Sequence, residues 1–406
     1  MNSKWMTIVE EGTDVVLKEC SHDAYGEIVI PDGVTKIGEK AFLKCVNVTS
    51  ITISDTVTGM GDATFAFCER LTSIVLPNRI TKIGENTFYC CECLTNIRIP
   101  DSVTLIGKGA FAECKSLKSV SLPKGISKIN EYTFYYCTCL ENISIPDYVT
   151  EIGEGAFAEC ESITDITIPN NISKIGKGAF QDCKSLISIV MPNSITEIEY
   201  GTFWHCESLV SVTIPNSVST IGKQAFIGCK NLKSVIIPNS VVKIGDEAFK
   251  ECESLNRIII PKGVTEVADG SFAQCKSLES ITLPEGITSI GIFAFISCKS
   301  LSSIKIPSSV TSINLFAFVC CANLKSISIP RNVTSINTDA FLGCSSLESI
   351  VVESDNKVYD SRDNCNAIIK TRTNRVIVEC KNTEIPDGVT PKDGDNNLYD
   401  LLTSNI

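Results

Sequence analysis

Twenty-one cysteines stand against only two histidines, His22 and His205, so any chemistry in this chain would have to begin with sulfur. Cys90-Cys91-Glu92-Cys93 and Cys137-Thr138-Cys139 have the close spacing of thiolate metal ligands. His205 directly precedes Cys206, a pairing that could activate a thiol as a nucleophile. Cys365 and Cys380 flank a β-rich segment and could be joined in an oxidising compartment.

Most of these cysteines belong to a period, and the period weakens each chemical reading. A phenylalanine recurs every 23 residues, fourteen times, from Phe42 through Phe65 and Phe88 to Phe341. A cysteine follows each one three residues later, from Cys45 to Cys344. A proline precedes each by eleven residues, from Pro31 to Pro330, with Ser54 as the single exception. Catalysis and metal binding need unlike groups gathered at one point, whereas a fixed period stacks like residues in rows. Cys91, Cys137 and Cys206 are rungs of such a row and are expected to face inward, Cys206 away from His205. The ladder is read as buried free thiols; seven cysteines lie outside it (Cys20, Cys90, Cys93, Cys139, Cys320, Cys365, Cys380), of which the off-ladder members of the two metal-like groups, Cys90, Cys93 and Cys139, are read as incidental surface thiols. With no Gly-rich phosphate loop either, no catalytic residue, metal site or cofactor is expected, and the chain does not read as an enzyme.

Counted from its proline, the unit reads P-x-x-[VI]-[TS]-x-I-G-x-x-[AT]-F-x-x-C-x-x-L-x-S-[IV]-x-[IL]. Its last third alternates, which predicts a strand with positions 21 and 23 facing a core and positions 20 and 22 facing out. Proline lacks an N–H and suits the strand's exit. Position 8 is Gly in nine units and Asn in three, types that tolerate positive φ, so a tight corner is expected there. The short [AT]-F-x-x-C that follows is expected to form one helical or 3-10 turn.

The pattern LPxxVTxIGxxAFxxCxxLxSI resembles the 23-residue leucine-rich repeat of BspA-like surface proteins. The resemblance covers about four fifths of the chain. It implies an α/β repeat fold: a right-handed leucine-rich-repeat solenoid with a parallel β-sheet on the concave face and short helical or 3-10 turns on the convex face. It also implies a non-enzymatic recognition scaffold for protein–protein binding, adhesin-like toward host cells or matrix, at a cell surface or secreted. The alternative is a structural or self-associating spacer array.

Residues 31–352 hold the fourteen repeats. Residues 1–30 are expected to cap the first, with a Val/Leu segment at Thr13 to Leu17. Within 353–390, two β-rich runs around the polar turn Thr371 to Asn374 predict a hairpin insert, followed by a partial repeat from Pro386. Residues 391–406 form a polar tail with Leu398, Leu401 and Leu402 that could fold over the last repeat. The formal charge of −11 is spread out, with no basic stripe, which makes nucleic acid a poor partner. No apolar run reaches membrane-spanning length, so insertion into a membrane is not expected. The opening residues lack a signal-peptide pattern and the free thiols suit a reducing compartment. The chain by itself therefore reads as cytoplasmic, against the surface location that the resemblance implies.

Two places depart from the repeat. At position 22, Ile236 and Ile259 are aliphatic neighbours beside Arg257 and Lys305, an apolar concave patch with a cationic flank suited to a protein or a glycan. β-Branched residues also favour pleated surfaces without any ligand. At positions 9 and 10, consecutive repeats carry Ile292-Phe293 and Leu315-Phe316, four large apolar residues that would meet a partner, a second copy or one another.

Overall fold

The computed structural model describes residues 3–392. The chain forms two compact units, Met1–Val212 and Thr213–Ile406, and each is a stack of 23-residue coils.

In the first unit an antiparallel hairpin of strands Met6–Glu11 and Asp14–Cys20 precedes the coils. Its second strand pairs in parallel with Lys36–Ile37 of the first coil. From there most coils contribute a strand at positions 20 to 22, and these pair in parallel and in register, Ser119–Ser121 lying between Asn96–Arg98 and Asn142–Ser144, while the coil of Asp165 keeps only a bridge to Ser188. Position 21 is buried, except for the half-buried Ile143, and positions 20 and 22 are mostly exposed, as the alternation requires. A second parallel ladder, not anticipated from the sequence, runs through two-residue strands at positions 6 and 7, such as Lys128–Ile129, Glu151–Ile152 and Lys174–Ile175.

The third side of the coil corrects the expected helical turn. Positions 8 to 15 form successive turns, and the only helices among the described residues are the short 3-10 segments Ser3–Trp5 and Arg362–Asn364. Positions 10 and 14 have positive φ in every repeat except at Asp339, as at Lys40 (59°), Lys44 (59°), Tyr132 (56°) and Tyr136 (58°). Each left-handed residue stops a helix after one turn and rotates alternate amides out of the coil. Positions 11, 13 and 15 then bond three residues back, as in Ala41 N–H to Gly38 O, Leu43 to Lys40 and Cys45 to Phe42. Positions 10, 12 and 14 donate to the next coil, as in Lys40 to Asp62 O (3.0 Å), Phe42 to Thr64 O (2.8 Å) and Lys44 to Ala66 O (2.9 Å). The inter-coil bonds offset the cost of left-handed backbone at residues other than glycine.

The glycine at position 8 is likewise explained differently from the expectation. It does not have positive φ. A Cβ on Gly153 would lie 2.6 Å from the Glu131 backbone nitrogen, and one on Gly107 would lie 2.6 Å from that of Glu85. In these coils glycine allows a backbone approach that a Cβ would block, while the coils with Asn130, Asn314 or Asn337 at position 8 accommodate a side chain.

Inside, phenylalanine stacks on phenylalanine. In the first unit the rings from Phe88 to Phe203 lie 5.2–5.8 Å apart with planes within 10° of parallel. In the second, Phe226 to Phe341 repeat the arrangement at 5.2–5.7 Å. Beside this stack ladder thiols donate to the carbonyl of the phenylalanine in the preceding coil, as Cys68 Sγ to Phe42 O (3.2 Å) and Cys160 Sγ to Phe134 O (3.1 Å), while the first rung, Cys45, reaches the carbonyl of Cys20 (3.6 Å). Cysteine therefore acts as more than a small apolar filler, because it supplies a donor that Ala or Val would lack.

The second unit ends in an irregular segment. Strands Ala367–Lys370 and Arg375–Glu379 form an antiparallel hairpin, joined on one side by Tyr359–Asp360. Asn356 Nδ2 donates to the carbonyls of Pro330 (2.9 Å) and Val333 (3.0 Å), fastening the segment to the last coil. Of the tail at 391–406 expected to cap this end, residues 393–406 lie outside those described, and Lys392 Nζ donates to Thr338 O (2.9 Å).

Candidate interaction surface

The sulfur chemistry considered above is dispersed by the fold. Cys91 and Cys137 donate inward to the carbonyls of Phe65 (3.2 Å) and Phe111 (3.1 Å), while Cys93 and Cys139 are exposed on the outside. Among the described residues no three His, Cys, Asp or Glu side chains gather as metal ligands. Cys206 Sγ donates to Phe180 O (3.1 Å), whereas the half-buried His205 ring lies with Nδ1 3.4 Å from Asp182 Oδ1 and edge-on to Trp204.

Of the three cysteines expected at the surface, Cys93 and Cys139 are exposed and Cys90 is not. Cys20, Cys90 and Cys365 are buried, Cys320 and Cys380 are half-buried, and only Cys93 and Cys139 are exposed. Cys90 occupies position 14, which the left-handed turn folds against Glu113 and Tyr89, and burial pushes its thiol up to about 11. Cys365 and Cys380 are free thiols, with Cys380 Sγ bonded to Asn366 O (3.1 Å). Thiolate is the reactive form. A chromogenic thiol reagent is accordingly expected to label Cys93 and Cys139 of the native protein first, Cys320 and Cys380 more slowly, and the ladder only after denaturation. Rapid native labelling of Cys114 or Cys160 would contradict the packing.

On the outer turns of the first unit, aromatic and acidic side chains alternate in a way the sequence reading did not single out. Tyr89 Oη donates to Glu113 Oε1 (2.7 Å), Tyr135 to Glu159 (3.3 Å), and Tyr132 to Glu154. The bond to Glu154, then burial, pushes the Tyr132 phenol up to about 12. Burial and the neighbouring Asp182 raise the Glu159 carboxyl. These groups satisfy one another across coils.

In the second unit the quartet at positions 9 and 10 turns on itself. Phe316 is buried, and Ile292, Phe293 and Leu315 are half-buried. The Phe293 and Phe316 rings stack at 5.3 Å, within a small cluster containing Ala273, Ile296 and Val319. Of the partners considered for these residues, each other is the one the packing supplies. Gly270 and Ala273 leave a cleft of about 470 Å³ beside Phe293, whose opposite wall carries Glu247 and Lys250, themselves ion-paired at 3.0 Å.

The strand face is different. Ile236 is 84% exposed and Ile259 62%, both among the most exposed large apolar side chains of the chain. The Ser234–Arg257 bridge sets the register that puts Ile236 opposite Ile259. With Asn256, Arg257 and Glu279 they line a shallow cleft of about 490 Å³. Asn256 and Glu279, at position 19, were missed in the sequence because position 19 flanks the strand and gives no alternation signal. Lys305 lies two coils further on, 90% exposed, with Glu285 3.8 Å away. Thr282 separates it from Ile259, so it does not line the cleft.

The repeat and its coils now meet the comparison that decides the family. A BspA type leucine rich repeat region, in its six-copy form, is matched over residues 18–141, 127–256 and 242–368. The chain belongs to the BspA-type leucine-rich-repeat family. A leucine-rich repeat protein from Bacteroides ovatus ATCC 8483 is similar at 29% identity and a TM-score of 0.78, over 88% of this chain and 95% of that one. A leucine rich cell surface protein from Faecalibacterium prausnitzii A2-165 is similar at 30% identity and a TM-score of 0.55, over 90% of this chain and 96% of that one. No functionally curated protein matches the sequence. As a BspA-type protein the chain is a leucine-rich-repeat scaffold, and none of its described helices is long and apolar enough to cross a membrane.

Proposed function

We propose that this BspA-type protein is a protein-interaction scaffold whose ligand docks on the strand face of the second unit, centred on Ile236 and Ile259. The observation that carries the reading is the 84% exposure of an isoleucine next to a second exposed isoleucine and an arginine. Covering an aliphatic side chain of this size stabilises a complex by about 1.5–3 kcal/mol, and buried anchors of this kind dominate interface energetics. The self-associating alternative draws less support, because the apolar quartet that would mediate it is largely covered by its own packing. Surface display is supported by the Faecalibacterium neighbour, a cell surface protein. Buried, hydrogen-bonded, protonated thiols resist oxidation, so a count of free cysteines does not oppose it.

The test is selection of a random peptide-display library on immobilised wild-type protein and on the Ile236→Asp/Ile259→Asp double variant, with unchanged circular dichroism as the folding control. Peptides recovered by the wild type and not by the variant are the expected result. Equal recovery by both would move the site elsewhere. Light scattering is expected to give a monomer at high concentration, and a concentration-dependent oligomer would favour the spacer reading. Protease shaving of intact producer cells tests display.

A further inference from the structure

Lysines elsewhere in the chain are commonly matched to a carboxylate one coil away: Lys115 to Glu92 (2.6 Å), Lys184 to Glu161 (2.6 Å) and Lys276 to Glu253 (2.9 Å). The strand face of the second unit breaks that habit. Its outward positions 19, 20 and 22 carry Lys233, Arg257, Lys305 and Lys325 against only Glu279 and Glu348, all exposed. Among the described residues no ion pair holds Lys233, Arg257 or Lys325. With Lys305 met by Glu285 (3.8 Å), Lys233, Arg257 and Lys325 face Glu279 and Glu348, so this face keeps a net positive charge on a chain whose formal charge is −11. Arg257 stands at the centre, in the cleft with Ile236 and Ile259, where a ligand that covers the isoleucines must also desolvate or pair the guanidinium.

Resting on the strand-face reading above, we infer that the ligand is an acidic polypeptide segment, one that sets a carboxylate against Arg257 while apolar side chains beside it cover Ile236 and Ile259. An unpaired guanidinium offers a planar fork matched to a carboxylate. A cleft open along the face and only about 490 Å³ in volume suits one or two side chains of an extended chain. Nucleic acid is disfavoured by the same features: the centre is aliphatic where base stacking needs aromatic rings, and the acidic chain repels a long polyanion.

The probe is a short fluorescein-labelled peptide with Leu and Glu alternating in a Gly/Ser frame, compared with versions carrying Gln or Lys in place of Glu. Anisotropy is expected to show the Glu peptide binding roughly tenfold or more tightly than the Gln peptide, with the Lys peptide weakest. The preference should shrink at high salt and vanish in Arg257→Gln, whereas Ile236→Asp/Ile259→Asp should abolish binding of all three. Equal binding of the Glu and Gln peptides, with the isoleucine dependence kept, would overturn the acidic ligand and leave the strand-face reading standing. Binding that survives the isoleucine substitutions would overturn both. Absence of saturable binding at millimolar Glu peptide, or saturable binding of a single-stranded DNA oligonucleotide lost in Arg257→Gln, also overturns the proposal.

Discussion

At pH 9.5 the protein is expected to have lost most of the stability it has at pH 7.5, and to unfold at far lower urea. Burial is the first cause that pushes eleven ladder thiols, from Cys68 to Cys344, above the ordinary thiol value. Cys68 and Cys344 are raised to about 12. The unfolded chain gives up these protons near pH 8.5, while the folded chain holds them to much higher pH. Unfolding therefore releases protons in that window, and stability falls as pH rises through it. One unit above the unfolded value the loss is about 1.4 kcal/mol per thiol. Summed over the ladder it is on the order of 15 kcal/mol, as large as the whole stability of an ordinary domain. Urea titrations followed by circular dichroism at the two pH values measure the loss, and thiolate absorbance should appear only as the coils melt. Equal midpoints, or thiolate appearing while the dichroism holds, would refute the ladder as a protonated hydrogen-bonded column.

Phe157→Ala is expected to destabilise the first unit by about 3–5 kcal/mol. The ring is fully buried and is stacked on Phe134 and Phe180, 5.6 Å away on either side. Removing it deletes the transfer energy of the side chain and leaves a cavity that the coil cannot close, since inter-coil hydrogen bonds run on both flanks of position 12. Phe341, at the end of its stack and touching only Phe318 in this way, should cost less when truncated. Denaturant titrations of the two variants compare them. A loss near or below about 1 kcal/mol for Phe157→Ala would mean that the stack relaxes and that its regularity is incidental.

The strand ladder, the inward ring and thiol, and the hairpin at 367–379 were legible because each leaves a periodic or compositional trace. The left-handed turns left none. Positions 10 and 14 hold Lys40, Phe67, Glu113, Tyr136 and His205 alike, since the inter-coil amide bond holds the backbone whatever the side chain. Position 8 did leave a trace, nine glycines, but the same residue serves positive φ and close backbone approach, and one chain's letters do not tell these apart. For the candidate site, Ile236, Ile259 and Arg257 were picked out as departures from the repeat, and the tertiary structure adds the cleft in which they meet Asn256 and Glu279. Phe316 was picked out by the same rule and is buried, because the small Ala273 on a nearby coil makes room for a cluster.

The amino-acid order alone determined the coil, since a spacing kept over fourteen units admits only structures that superimpose like residues. Which departures from that spacing face water, and which close on one another, was decided by the tertiary structure. Exposure depends on the side chains one coil above and below, 23 residues away in either direction, and on turns whose handedness the backbone sets through hydrogen bonds rather than through residue type.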